Sequence, residues 1–253
     1  MLVRMDERLS VVPVVPRFAA AIREVAGVTA FYAGGSIGSG DYRPGISDLD
    51  LVAVIGGPLT RSNRDRLRTL HRTLGVAKLH CAYVPSNDIS DISRKHVTWA
   101  HEQLFRRPLS GISRAELHQF GVTVYGPPPG ELVPPVDRGA LAEAARVELR
   151  GYWTGAVRRP RVWRTDLHVD LGLTTVSRAD VTIAEGRLIT KREAIDRLPS
   201  LGVPDDLTSE IRRRRAGETV VLSEPRIAAR AALVRGIMRE QLKRLLQPPA
   251  PDL

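Results

Sequence analysis

Residues 34–52 read Gly34-Gly35-Ser36-Ile37-Gly38-Ser39-Gly40-Asp41-Tyr42-Arg43-Pro44-Gly45-Ile46-Ser47-Asp48-Leu49-Asp50-Leu51-Val52. An apolar, β-prone run (Val28–Ala33) stops at Gly34-Gly35. Glycine there lets the backbone adopt positive φ and come close to a ligand. Ser36 adds a hydroxyl where a helix can start, and such a turn suits phosphate oxygens. A loop rich in turn residues (Gly38–Gly45) leads into Ser47–Ile55, which reads as a second strand. Side chains at i and i+2 of a strand share a face about 7 Å apart. Asp48 and Asp50 therefore point one way, and Leu49 and Leu51 the other. Two carboxylates beside a phosphate turn make a hard-oxygen site for Mg²⁺, whose ions can clamp an in-line phosphoryl displacement. A lone Asp-x-Asp, or a lone Gly-Gly-Ser, also fits a hairpin with solvated acids. The two in order, close together and flanked by apolar strands, point to nucleotide chemistry.

Outward from this segment, Pro16–Val25 reads as an amphipathic helix, Ser62–Leu74 as another, and Val76–Val84 as a sheet strand. Residues 94–125 read as helical or irregular, with a helix at Ala115–Phe120 and a short strand at Val122–Tyr125. Gly126-Pro127-Pro128-Pro129-Gly130 and Pro134-Pro135 then break the chain. The predicted division is an α/β domain over 1–135, a mixed sheet with flanking helices, and an all-α bundle over 136–253. The second part lacks strand-like runs. Gly139–Val157, Asp166–Ala184, Thr190–Leu198 and Glu224–Leu246 suggest four or five helices, followed by a frayed tail at Pro248–Pro251.

In that second part Ser177 and Arg178 lie within one helix, and Gly186 ends it. Thr190 and Glu193 form a capping-box pattern, which places Lys191 in the first turn of the next helix. Free N–H groups and the helix dipole attract anions there. By composition alone this is a capped helix among surface arginines.

The chain holds 253 residues with a net charge of +10, carried mostly by arginine. That charge is either incidental to an arginine-rich residue usage or fits an anionic partner, whether nucleotide, RNA or an acidic protein surface; nucleic acid is possible but not favoured. No run approaches the ~20 apolar residues of a membrane span. No signal-peptide core follows Arg4–Arg8. The single cysteine, Cys81, excludes an intramolecular disulfide framework and a cysteine-based zinc finger. The expected compartment is a reducing cytoplasm.

The glycine–serine turn followed by Asp48-Leu49-Asp50 resembles the signature of the DNA polymerase β-type nucleotidyltransferases. Gly38–Asp41 with Ser47–Val52 is most similar to bacterial aminoglycoside adenylyltransferases of the streptomycin/spectinomycin type. The resemblance implies Mg²⁺, with ATP as co-substrate, and AMP transfer to a hydroxyl of a small molecule such as an aminoglycoside-like antibiotic. It implies Mg²⁺ on Asp48 and Asp50, and phosphate contacts from Gly35, Ser36 and Ser47. Ser177, Arg178, Gly186 and Lys191 match a family stretch in order. There Arg178 and Lys191 would reach the phosphates across an interdomain cleft.

Two departures stand out. The family's third carboxylate, a general base, belongs on the strand after the Asp-x-Asp strand. Lys78–Val84 has no acid there, and His80 is the titratable group placed to substitute; Asp88 and Asp91 follow in a loop. In the acceptor segment Trp153 would stack and Asp166 would pair with an amine. Yet Arg158, Arg159, Arg161 and Arg164 would repel a polycation. Alternatives are therefore a nucleotidyltransferase acting on RNA or protein, or a non-catalytic nucleotide-binding homologue. Arg212–Arg215 read as a solvated helix end.

Overall fold

The computed structural model describes residues 6–76 and 78–247, so Ala77 of the strand expected at Val76–Val84 and the tail at Pro248–Pro251 lie outside the described residues. The chain forms two compact units, 1–136 and 137–253. Among the described residues no helix is long and apolar enough to cross a membrane.

The first unit is a six-stranded mixed sheet. Its strands are β1 (Val28–Ala33), β2 (Leu49–Ile55), β3 (Leu79–Pro85), β4 (Lys95–Ala100), β5 (Gln103–Pro108) and β6 (Val122–Tyr125). Their order is β5-β4-β3-β2-β1-β6, with β2 and β3 parallel and every other pair antiparallel. The helices are α1 (Val14–Ala26), α2 (Gly35–Gly38), α3 (Arg61–Leu74), α4 (Gly111–Phe120) and α5 (Pro129–Leu132). The parallel pair needs a crossover, and α3 supplies it. α3 starts at a capping box formed by Thr60 and Asn63, and ends at Gly75 with φ of 61°.

Alternation along β2 sorts its side chains. Leu49, Leu51, Ala53 and Ile55 join Phe18 and Ile22 of α1 and Leu67 of α3 in one core. Val52 and Val54 join Tyr32, Ala82, Val84 and Leu117 of α4 on the opposite face. Asp50 shares that second face by its register. The segment expected to be helical or irregular holds the β4–β5 hairpin instead. Its apolar alternation is weak, because β5 is an edge strand whose residues are largely exposed or half-buried. Arg106, Arg107 and Pro108 suit an edge that must not pair further.

The second unit is helical, as expected. α6 (Arg138–Glu148) runs through one π-helical segment (Leu149–Trp153) into α7 (Thr154–Ala156). α8 (Asp166–Glu185), α9 (Lys191–Asp196), α10 (Asp205–Arg215) and α11 (Glu224–Leu245) follow. Trp163 is fully buried, and its indole N–H donates to Ala156 O at 3.0 Å. Gly172 is required on α8, since a Cβ there would lie 2.8 Å from the Trp163 ring and 3.1 Å from that of Trp153. The Arg212–Arg215 run is a solvated end at Arg212 and Arg213, which are exposed, but not at Arg214. Arg214 is 10% exposed and meets Asp170 at 2.7 Å, because α10 packs its last turn toward α8.

Candidate active site

The turn after β1 is fastened to β2 by its backbone. Gly34 N donates to Asp50 O at 2.8 Å, and Asp41 N to Ser36 O at 2.9 Å. Gly35 has φ of 51°, and a Cβ there would fall 2.4 Å from Asp50 Oδ2. Glycine is needed on both counts, so that the carboxylate can rest against the turn. α2 is seated on α4, where a Cβ on Gly38 would lie 2.8 Å from Phe120 O. Arg8 donates to both Gly38 O and Phe120 O, pinning this contact from the N-terminal side.

The loop ahead of β2 is equally tied. Lys78 Nζ donates to Gly45 O at 3.0 Å and to Ile46 O at 2.8 Å. Ser47 is buried, and its hydroxyl accepts from Arg43 N at 3.0 Å. The structure thus places Ser47 as a support of the loop. Asp48 is the half-buried residue just before β2, and Asp50 is the second residue of the strand.

β3 sets His80 directly beside Asp50 in the parallel register. His80 Nδ1 lies 3.5 Å from Asp50 Oδ1, close enough to pair with it when protonated. A second imidazole stands next to it: the His101 ring is 5.3 Å from that of His80, edge to face. His101 and Glu102 form the β4–β5 turn, both with positive φ (50° and 59°). Such turns usually take Asn-Gly, so a histidine there is an exception at the edge of the candidate site. Its place beside His80 is not legible in the sequence, because the weak apolar alternation of β5 hides the hairpin that carries it. Asp88 and Asp91 do not enter this site. They follow the far end of β3, about 17 Å along the strand from His80. Asp88 pairs with Arg94, and Asp91 accepts from Ser93.

The Ser36 hydroxyl is buried and has no hydrogen-bond partner among the described residues. An orphaned buried hydroxyl calls for a partner, and a phosphate oxygen would supply one. No group of three or more His, Cys, Asp or Glu side chains forms a metal cage among the described residues. Mg²⁺ does not require one, because it is commonly held by one or two carboxylates plus phosphates and water. Asp48 and Asp50 fit that role.

In the helical unit, Arg178 and the Lys191 segment meet. Arg178 Nε donates to Ile189 O at 3.0 Å, and Ser177 Oγ to Ala194 O at 2.9 Å. The Thr190–Glu193 capping box is formed, with Lys191 the first residue of α9. The acceptor residues fare differently. Trp153 does not offer a stacking face: it is 6% exposed, packed on Trp163 with ring centroids 6.1 Å apart. The neighbouring Tyr152 is exposed instead. Asp166 is already paired, with Arg230 at 2.7 Å and Arg214 at 3.7 Å.

Residues 15–103 match the family model described as a nucleotidyltransferase domain. The fold is similar to that of spectinomycin adenyltransferase AAD(9) from Enterococcus faecialis, solved with ATP and spectinomycin. The match covers 93% of this chain and 100% of that chain, with a TM-score of 0.65 and 16% identity. No curated protein matches the sequence. The chain carries a nucleotidyltransferase domain and, in this domain and in its two-part fold, resembles polymerase β-type nucleotidyltransferases of the aminoglycoside adenylyltransferase kind.

Proposed function

We propose that the protein is a cytoplasmic, Mg²⁺-dependent adenylyltransferase that moves AMP from ATP to a hydroxyl of a small molecule. The observation that carries this reading is the fit of Gly35 against Asp50, beside the orphaned Ser36 hydroxyl. Backbone glycine, a free hydroxyl donor and a carboxylate converge on one spot, as a metal-bound triphosphate demands. AAD(9), a spectinomycin adenyltransferase of similar fold, was solved with ATP and spectinomycin, which supports a nucleotide and a small molecule as ligands here.

Asp48 and Asp50 would hold Mg²⁺, which would neutralise charge on the phosphates. Ser36 and the Gly34–Gly35 backbone receive phosphate oxygens, and Ser47 keeps the loop in place. Arg178 and Lys191 clamp the phosphates from the helical unit. The acceptor oxygen attacks the α-phosphorus, the bond to the bridging oxygen breaks, and pyrophosphate leaves. The proton of the acceptor hydroxyl passes to His80. Catalysis is then mostly positioning and charge stabilisation.

The test is transfer of label from α-labelled ATP to hydroxylated small molecules, and in parallel to RNA and protein. Label on a small molecule, lost in Asp50→Ala, supports the reading. Label only on macromolecules refutes the small-molecule acceptor. Nucleotide binding with no transfer to any class refutes the enzyme.

A further inference from the structure

α2 is a single helical turn with glycine at both ends, Gly35 and Gly38. So short and glycine-rich a helix has little stability of its own, and its place is set by what it is fastened to. Its backbone satisfies its own carbonyls almost to the end. Gly34 O accepts from Gly38 N, Gly35 O from Ser39 N, Ser36 O from Asp41 N and Ile37 O from Gly40 N, at 2.9 to 3.1 Å. Gly38 O, the terminal carbonyl, needs a partner from outside, as the last carbonyls of helices do. Phe120 O is the last carbonyl of α4 and has the same need. The two helix ends meet, since a Cβ on Gly38 would lie 2.8 Å from Phe120 O. Terminal carbonyl oxygens carry partial negative charge, so two of them side by side favour a shared cationic donor.

Arg8 is that donor. Its Nη1 donates to Gly38 O, and also to Phe120 O at 3.0 Å. The rest of the guanidinium is taken by Asp6: Nε donates to Oδ1 at 2.9 Å, and Nη2 to Oδ2 at 2.7 Å. Asp6 Oδ1 also accepts from Arg8 N at 2.9 Å. The carboxylate thus fixes one side of the planar fork and aims the remaining nitrogen at the two carbonyls. A lysine would supply the charge without this orientation. The segment itself is docked by apolar burial. Leu9 and Val12 are buried in the same core as Ile37 of α2. Arg8 can therefore be removed with the segment still in place, and the loss falls on α2.

We infer that Arg8, aimed by Asp6, is a positioning residue for the Gly34–Ser39 turn: it locks α2 onto the end of α4 and so holds Gly35 and Ser36 in place for the nucleotide phosphates. The consequence for binding rests on the proposed nucleotide site, whereas the locking of the turn rests on the hydrogen bonds alone. Arg8 acts through α2 and not by contact with the ligand.

The experiment compares the full chain with Arg8→Ala, Arg8→Lys, Asp6→Asn and the double variant Asp6→Asn/Arg8→Ala. Each is followed by hydrogen exchange without ligand and by calorimetric titration of ATP with Mg²⁺. Backbone amides of residues 38–41 should exchange at least about tenfold faster in Arg8→Ala, with those of β2 unchanged. ATP should bind at least about tenfold more weakly in Arg8→Ala, the worth of one charge-assisted hydrogen bond. Arg8→Lys should fall between Arg8→Ala and wild type. Asp6→Asn should weaken ATP about threefold alone and add nothing to Arg8→Ala, because it acts only by aiming Arg8. Unchanged exchange at 38–41 in Arg8→Ala overturns the inference, and so does an equal loss of protection in β2, which marks general destabilisation. Full ATP affinity in Arg8→Ala overturns it as well, as does Arg8→Lys matching wild type in both measurements. A wild type that binds no ATP sinks the nucleotide reading instead, and exchange at 38–41 still decides whether Arg8 locks the turn.

Discussion

The two units hold their candidate site residues by different means. In the α/β unit, backbone hydrogen bonds and an absent Cβ fix Gly35, Ser36 and Asp50 against one another. In the helical unit Arg178 is held by a side-chain bond to Ile189 O, and α8, which carries it, is framed by arginine pairs: Arg214 with Asp166, Asp170 and Glu210, and Arg230 with Asp166 and Glu210. A site fixed by backbone keeps its geometry under most side-chain changes. One framed by buried ion pairs depends on every partner being present.

The contrast breaks most visibly at Asp50. Asp50→Ala should reduce label transfer by at least ~10³-fold, about 4 kcal/mol of transition-state stabilisation. Its thermal midpoint should stay close to wild type, since no core contact is lost. Arg214→Ala should do the opposite. It strands Asp170, whose pKa burial already raises from its ordinary value, and should cost about 3 kcal/mol in denaturant melts. Gly35→Ala tests the absent Cβ. A ~10²-fold loss of transfer is expected, near 2.7 kcal/mol, with stability down by about 1 kcal/mol for the left-handed backbone. Unchanged transfer would show that the close approach of Asp50 is incidental.

A smaller, pH-dependent difference also separates the units. His71 is buried in the α/β core, bonded to Tyr83 at 2.8 Å and stacked on Trp99, and burial pushes its pKa down to about 3. The folded state therefore keeps it neutral while the unfolded chain takes up a proton near pH 6.5. Its contribution is fully present above that pH and falls by about 1.4 kcal/mol per unit on acidification toward pH 3. Melts at pH 7 and pH 5 should show this slope in wild type and its loss in His71→Phe. Smallest of all, Arg212→Ala should change stability by less than about 0.5 kcal/mol. Arg212 and its partner Asp196 are both more than half exposed.

The same contrast explains what could be read from the sequence. The Gly34–Val52 segment was legible because its geometry is local. Period-two alternation put Asp50 on the face opposite Leu49 and Leu51, and a glycine pair marked the turn. The Thr190–Glu193 cap was legible for the same reason. His101 was not, since its approach to His80 depends on pairing between β3 and β4 and on an edge strand with little apolar alternation. Trp153 and Asp166 suit an acceptor only by residue type and by their place in the segment the resemblance points to. Their burial against Trp163 and their pairing with Arg230 depend on contacts 10 to 64 residues away in the chain.

Asp48 and Asp50 are proposed to carry a metal-bound nucleotide beside the Gly34–Ser36 turn. Calorimetric titration of ATP, with and without Mg²⁺, on wild type and Asp50→Ala tests it most directly. Mg²⁺ should tighten ATP binding at least tenfold in wild type, and that gain should vanish in Asp50→Ala while metal-free binding persists. Equal affinity with and without Mg²⁺ in wild type, or an undiminished gain in Asp50→Ala, would contradict it.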